Sequence, residues 1–435
     1  MFNISGDTKA PAVTEHLAND TGSSPTDKIT KDPTLSGSGD ANAVVHFTVD
    51  GKQIGTTVTA DTNGNWVFAP TGLTEGQHTV IASETDAAGN TGTALLTFTL
   101  DTTPSLVTES LAHDTGISPS DKITKDGTVT GSGDANAVVS FTVDGTPLAT
   151  TVTADGNGNW MFAPTGLGDG KHTVIASETD AAGNIGTASL TFTLGTTPPA
   201  PTITNEILSQ GKVTLTGSTA EPNDSVSVYD GSTLLGTVLT DSNDNFKFVT
   251  GTVSNTVHVY TVSATDLAGN VGQGINEAIL GSTKADALVG GPGNDVIIGN
   301  GGNDAFTGGG GADTLSAGAG NDTFVFKAIT DSTPTSHDTI ANFNHSNDLI
   351  QFNGISGING SHGVPTFQGN LTGSGNLVLN AHSVGYVEVG GNTEVLVNTT
   401  SSAESVTLSD THAANMEIVL SGTHLGLTSH DFHIV

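Results

Sequence analysis

The chain has 435 residues, 11 lysines, no arginine and 44 acidic side chains, for a formal charge of −33. With no clustered cations it has no surface for a phosphate backbone, which excludes nucleic acid as a partner and disfavours anionic membrane surfaces. Zero cysteines remove disulfides and thiolate metal sites.

Residues 1–6 carry neither a basic nor an apolar stretch, so they read as a short leader and not as a secretory signal. No later run approaches the roughly 18–20 consecutive apolar residues of a spanning helix, and no membrane insertion is expected. The charged fraction is 13%, the hydrophobic fraction 34% and the glycine count 57, which suits β-rich modules joined by tight turns. Aspartate outnumbers glutamate 32 to 12, a bias that points to oxygen sites for a hard cation.

Two repeats follow, offset by 94 residues without an insertion: Gly64-Asn65-Trp66 returns as Gly158-Asn159-Trp160, and Asp86-Ala87-Ala88-Gly89-Asn90 as Asp180-Ala181-Ala182-Gly183-Asn184. A diverged third copy closes on Asp266-Leu267-Ala268-Gly269-Asn270. The modules span 7–100, 101–194 and 195–280. Within each, short β-branched or aromatic runs are bounded by Gly, Asn and Pro. Val44 to Val49 leads into Asp50-Gly51, a two-residue hairpin signal. About seven short strands in roughly 90–100 residues is a sandwich pattern. Trp66, Trp160 and Phe246 share one core position, and His78, His172 and His258 share another, where packing or hydrogen bonding outweighs catalysis.

These modules resemble the bacterial Ig-like repeats of large secreted adhesins, on the strength of Asp101-Thr102-Thr103-Pro104, Thr85-Asp86-Ala87-Ala88-Gly89-Asn90 and Gly76-Gln77-His78-Thr79-Val80. That resemblance implies calcium at module junctions, with Asp86, Asp101 and Asp180 as ligands.

From Gly281 the texture changes to a strict nine-residue period: GSTKADALV, GGPGNDVII, GNGGNDAFT, GGGGADTLS and AGAGNDTFV, ending at residue 325. Position six is always aspartate: Asp286, Asp295, Asp304, Asp313 and Asp322. Position eight is always large and apolar: Leu288, Ile297, Phe306, Leu315 and Phe324. A large residue every nine positions builds a short strand that faces a narrow stacked core. Glycines let backbone carbonyls turn toward a common centre, namely those of Gly290, Gly291, Gly293, Gly299, Gly301, Gly302, Gly308, Gly309, Gly311, Gly318 and Gly320. Carboxylates at one place in every turn supply hard oxygen, which suits calcium as the cofactor.

The array is similar to the RTX nonapeptide G-G-x-G-x-D-x-U-x, a calcium-binding β-roll repeat. By that resemblance two nonapeptides make one coil, so Asp295 pairs with Asp313 and Asp304 with Asp322. The Asp286–Asp304 pair is weaker, because Ser282 and Lys284 stand where glycines are expected.

Segment 326–435 follows, with Asp338 to Phe343, Asn347 to Phe352 and a tail ending His430-Asp431-Phe432-His433-Ile434-Val435. It resembles the end of type I secretion targets, including serralysin-like proteases. The expected partners are therefore the ABC transporter, adaptor and outer-membrane channel of that pathway, and an unknown surface or matrix ligand. The expected fold is all-β: tandem Ig-like sandwiches, a parallel β-roll and a β-rich secretion domain. No H-E-x-x-H helix and no G-x-S-x-G elbow is present, and no catalytic residue is assigned. The expected product is a secreted or surface-held, non-catalytic, adhesin-like calcium protein of the biofilm type. The alternative is the delivery portion of a secreted RTX enzyme, a serralysin-like protease or polysaccharide epimerase.

Overall fold

Asp50 and Gly51 both take left-handed backbone, φ 48° and 78°, the pair of positive angles that a tight hairpin turn requires. Val44–Val49 therefore folds straight back on Lys52–Thr59. On its other side Val44–Val49 pairs with Gly76–Thr85, which pairs in turn with Thr91–Leu100. The two-residue strand Ile29–Thr30 adds a parallel edge. Facing this five-stranded sheet is a three-stranded one of Thr14–Leu17, Leu35–Ser38 and Asn65–Phe68. Strand alternation points Val45, Phe47, Trp66, Phe68, Val80 and Phe98 into the gap, where all are buried. Phe47 stacks on Phe68 at 3.9 Å and meets the edge of Trp66 at 5.4 Å.

The computed structural model describes residues 6–358, 360–361, 364–372, 377–406 and 414–435. It divides into two compact units, Met1–Gly195 and Thr196–Val435. The first holds two such sandwiches. In the second sandwich Phe141 stacks on Phe162 at 4.0 Å and meets Trp160 at 5.4 Å, so the core repeats with the sequence. Among the described residues the fold is all-β, with no α-helix and only two three-residue 3-10 turns, Ile329–Asp331 and Ser429–Asp431.

The second unit opens with the third sandwich. Where the first module has the ten-residue strand Thr91–Leu100, this one has two fragments, Val271–Gln273 and Ala278–Leu280, both paired with His258–Thr265. Ala278–Leu280 also pairs in parallel with Val296–Ile298. The sandwich sheet thus continues into the first coil of the nonapeptide array. The array stacks as two parallel sheets. One runs Ala278–Leu280, Val296–Ile298, Thr314–Ser316, Asp338–Ala341 and Met416–Ser421. The other runs Ala287–Val289, Ala305–Thr307, Thr323–Phe326, Leu349–Phe352 and Phe432–Ile434. Stacking therefore does not stop at residue 325: Phe432–Ile434 ends one sheet, and the other continues past Met416–Ser421 into the antiparallel strand Asn392–Asn398.

Position-eight side chains fill the gap. Ile279, Ile297, Leu315, Ile340 and Leu420 line up from one sheet, and Leu288, Phe306, Phe324, Ile350 and Phe432 from the other; all are buried. Phe306 stacks on Phe324 at 4.8 Å. At ~1.5–3 kcal/mol per buried large apolar side chain, this spine is the main favourable term holding the coils together.

Candidate metal centre

Each nonapeptide places its aspartate at the end of a turn, just before the three-residue strand. Turns 290–295 and 308–313 stack along one edge of the roll, and turns 281–286, 299–304 and 317–322 along the other. A ladder of charged hydrogen bonds follows. The Asp286 amide donates to Asp304 Oδ1 at 2.9 Å, Asp295 to Asp313 Oδ1 at 2.8 Å, and Asp304 to Asp322 Oδ1 at 2.9 Å. The structure thus brings together the pairs that the 18-residue spacing implies.

The ladder also contains residues that the nonapeptide pattern does not show. The Glu277 amide donates to Asp295 Oδ1 at 2.6 Å. At the other end the Asp313 amide donates to Asp338 Oδ1 and the Asp322 amide to Asp348 Oδ1, both at 2.9 Å. Their signal was present as an acid two positions before an isoleucine, in Glu277-Ala278-Ile279, Asp338-Thr339-Ile340 and Asp348-Leu349-Ile350. Insertions that break the nine-residue count hid it at Asp338 and Asp348, whereas Glu277 keeps the count but carries glutamate in place of aspartate.

The second carboxylate oxygens divide into two groups. Asp286 Oδ2 accepts from the Ser282 amide and hydroxyl at 2.7 and 2.8 Å. Asp295 Oδ2 accepts from Gly291 N–H at 2.7 Å, Asp322 Oδ2 from Gly318 N–H at 3.2 Å, and Asp348 Oδ2 from Asn344 N–H at 2.8 Å. By contrast Asp304 Oδ2, Asp313 Oδ2 and Asp338 Oδ2 are buried without a hydrogen-bond partner. A buried carboxylate oxygen without a partner is costly, so each needs a proton or a cation. Burial, with smaller contributions from neighbouring aspartates, pushes Asp304 up to about 6 and Asp313 up to about 7. Burial likewise pushes Asp338 to about 8, followed by the charge of Asp313. Asp295 and Asp348 are raised by burial as well.

Turn glycines lie close to two of these oxygens, those of Asp304 and Asp313. Gly311 has φ +129°, and a Cβ there would run into the Gly293 carbonyl and approach Asn294 Oδ1 at 3.0 Å. A Cβ at Gly308 would strike Asp313 Oδ2, and one at Gly299 would crowd Asp304 Oδ2 at 2.7 Å. The chain thus approaches so closely at these three positions that only glycine fits. No group of three or more His, Asp or Glu side chains among the described residues is arranged to hold a metal. A cation here would take one or two carboxylates with main-chain carbonyls, a donor set that suits calcium.

Outside the roll, the remaining aspartates singled out in the sequence have local duties. Asp86 Oδ1 accepts from Asn90 N–H and Oδ2 from Asn90 Nδ2, both at 2.8 Å, and Asp180 repeats both bonds with Asn184 at 2.8 Å. Asp101 Oδ1 accepts from Thr103 N–H at 3.1 Å, and its carbonyl accepts from Asn184 Nδ2 at 2.9 Å. The junction between the first two modules is bridged by Thr21 Oγ1 on the Ala182 carbonyl and by the Lys31 ammonium on the Gly183 carbonyl, each at 2.5 Å. Both carboxylate oxygens of Asp86 and of Asp180 are engaged by their own turns.

The three aligned histidines are clamps. Nδ1 of His78, His172 and His258 donates to Asp50, Asp144 and Asp230 at 2.8, 2.7 and 2.7 Å. Nε2 of each faces a backbone carbonyl, of Thr74, Gly168 and Ser254, at 2.7, 2.8 and 3.1 Å. The Asp144 carboxylate and then the Gly168 carbonyl hold His172 above its ordinary value. In the second unit a cleft of about 390 Å³ opens beside residues 202–204 and 292–296, and Asp295 is its one ionisable lining residue, so no acid–base pair faces it.

Residues 7–102 and 103–196 match the family described as Bacterial Ig-like domain, and residues 232–419 the family described as Peptidase M10 serralysin C terminal. None of the curated proteins matches the chain. Among solved structures, a calcium-stabilised adhesin with which an Antarctic bacterium binds ice is 24% identical, covering 62% of this chain and 73% of that one, at a TM-score of 0.29. A tetra-tandem repeat from the extending region of a large adhesion protein is 22% identical, covering 61% and 73%, at a TM-score of 0.24. A subunit of the Azotobacter vinelandii mannuronan C5-epimerase is 24% identical, covering 36% and 76%, at a TM-score of 0.24.

Proposed function

We propose that this chain, an RTX-type protein in which two bacterial Ig-like domains precede a serralysin-type C-terminal region, is a secreted, calcium-dependent, non-catalytic adhesin-like protein. The observation that carries the calcium reading is the set of three buried carboxylate oxygens without a partner, at Asp304, Asp313 and Asp338. The proposed ligands are Asp286, Asp295, Asp304, Asp313 and Asp322, with glycine carbonyls of the stacked turns. The bound ion would supply positive charge between stacked carboxylates. The chain's own part is to hold those carboxylates in register through the amide ladder and to exclude water with the position-eight spine.

In a cytosol poor in calcium the carboxylates repel, and the second unit is held back from folding, as a one-step export channel requires. Segment 281–435 holds 2 lysines against 14 acids, so that repulsion has little internal relief. Outside, extracellular-type sites fill at ~10⁻⁴–10⁻³ M calcium, and binding free energy becomes folding free energy. Type I secretion machinery and a surface or matrix ligand are the implied partners. The serralysin-type match favours a second reading, in which this region delivers an enzyme, although the chain contains neither the zinc-helix nor the nucleophile-elbow motif.

The test is limited proteolysis of the full chain across a calcium series, with magnesium as control. Cleavage within 281–352 should disappear between roughly 0.1 and a few millimolar calcium, while magnesium leaves it unchanged. Resistance that is already complete in chelator would reject the folding switch.

A further inference from the structure

In each sandwich the strand that follows the Asp-Gly pair lies at a sheet edge: Lys52–Thr59, Thr146–Thr153 and Thr233–Leu239. An open edge is a template for another chain, and proteins guard it with charge or proline. The first edge carries Lys52 and the second Pro147. The third has neither, since residues 231–240 contain no charged side chain and no proline. Counted from the Asp-Gly pair, Gly55 and Ala149 are replaced by Leu235, and Thr59 and Thr153 by Leu239. Leu235 is 39% exposed and Leu239 59%. The inner face of this strand is already used. Val238 packs against the sandwich core, and a Cβ on Gly236 would approach the Phe248 ring at 3.1 Å. Leu235 falls at a shift in register against Ser225–Asp230 and takes no partner there. Among the described residues no strand pairs with the outer side of Thr233–Leu239. We infer that Thr233–Leu239 is a self-association edge, where two copies of this chain join their sheets antiparallel about a two-fold axis at Thr237.

The strand is complementary to itself. With Thr237 opposite Thr237 of the second copy, Leu235 falls opposite Leu239 and Leu239 opposite Leu235. Each pairing is thus returned by the other copy, as a two-fold contact requires, and directly opposed apolar side chains stabilise a sheet. Charge also favours a second copy here. Two chains at −33 repel wherever their acids meet, but in this register Asp241 faces Thr233 and no acid faces another. The uncharged edge offers nothing to attract a basic peptide. One seven-residue edge covers well under the roughly 1,200 Å² of a stable interface, so the contact is weak and forms where chains are concentrated. It goes beyond the function proposed above, since the occupant is the chain itself and the edge holds no ion.

The chain has no cysteine, so a single introduced one reports the contact. Thr237→Cys is compared with Thr151→Cys, the equivalent position on the guarded edge of the second sandwich. Both are exposed strand threonines, so neither substitution threatens the fold. The full chains are oxidised mildly at high protein concentration in millimolar calcium. Thr237→Cys should accumulate a disulfide-linked dimer much faster than Thr151→Cys. Adding Leu239→Lys, which gives this edge the kind of charge the first one has, should abolish the difference. In sedimentation runs the dimer of the unaltered chain should grow with salt, as repulsion between the acidic chains is screened. Equal cross-linking of the two cysteine variants would overturn the second copy as occupant and leave the edge to an extended segment of another protein. A dimer that persists unchanged with Leu239→Lys would overturn the pairing of the leucines, and with it the proposal.

Discussion

In the first unit Asp61 and Asp180 close their own turns, whereas in the roll Asp304, Asp313 and Asp322 accept an amide hydrogen from a neighbouring coil. Asp61 accepts the amides of Asn63 and Asn65, both at 2.8 Å, and Asp180 is saturated by Asn184. These bonds span two to four residues, sit near solvent and need nothing from outside. Asp304 instead accepts the amide of Asp286, 18 residues away, and is buried with one oxygen unused. Burying one carboxylate per coil, about one strand spacing (~4.8 Å) from the next, has a cost that the local turn avoids. Asp61 and Asp180 are therefore satisfied by their own turns, whereas Asp304, with a buried oxygen unused, depends on a counter-charge.

The largest expected effect separates the two units outright. Chelator should unfold the roll and leave both sandwiches intact. Because Trp66 and Trp160 both lie in the first unit, tryptophan fluorescence should not change while far-UV circular dichroism does. Next come the cores. Phe306→Ala and Phe141→Ala should each cost ~3–5 kcal/mol. Phe306→Ala should raise the calcium concentration needed for folding, while Phe141→Ala should lower urea stability equally with or without calcium. Asp304→Ala should weaken calcium binding more than Asp286→Ala, since Asp304 is shared by two coils. It also removes an acceptor from the half-buried Asp286 amide, at about 1 kcal/mol. Calorimetric titration of the two variants gives the order.

The acid dependence of the first unit is a smaller effect with a defined sign. Burial pushes Glu109 up to about 7 from 4.5, as it does Glu15. The folded state binds this proton more tightly than the unfolded one. The stability it contributes is full below about 4.5 and is lost as pH rises through about 7. His172, raised by its bond to Asp144 and by the Gly168 carbonyl, has the same sign. Urea midpoints followed by tryptophan fluorescence should fall from pH 5 to pH 8, and Glu109→Gln should reduce that fall by about 1–2 kcal/mol. A midpoint that rises with pH would contradict the buried-carboxyl account. The smallest effect is Asp180→Ala, expected to cost ~1 kcal/mol through its turn and to leave calcium uptake unchanged.

Much of this was legible in the sequence, because strong periodicity reflects strong packing. The 94-residue repeat announced the sandwiches, and the position-eight residues announced the spine that Phe306 and Phe324 fill. The ladder was legible only while the period held. Asp338 and Asp348 escaped because 25 and 26 residues separate them from Asp313 and Asp322, even though each stands two places before a buried isoleucine. The fusion of the third sandwich with the roll through Ala278–Leu280 could not be read either, since a three-residue strand has too few positions to show which partner it takes. The histidine clamps were seen as aligned rings. Their partners Asp50, Asp144 and Asp230 lie 28 residues upstream and meet them only through cross-strand pairing.

The most direct test of the central claim is hydrogen exchange on the full chain in chelator and in millimolar calcium, read peptide by peptide. The account predicts that peptides from 278 to 352 exchange rapidly in chelator and become protected in calcium, while those from 7 to 194 are equally protected in both. Protection of the roll that is the same with and without calcium would contradict it.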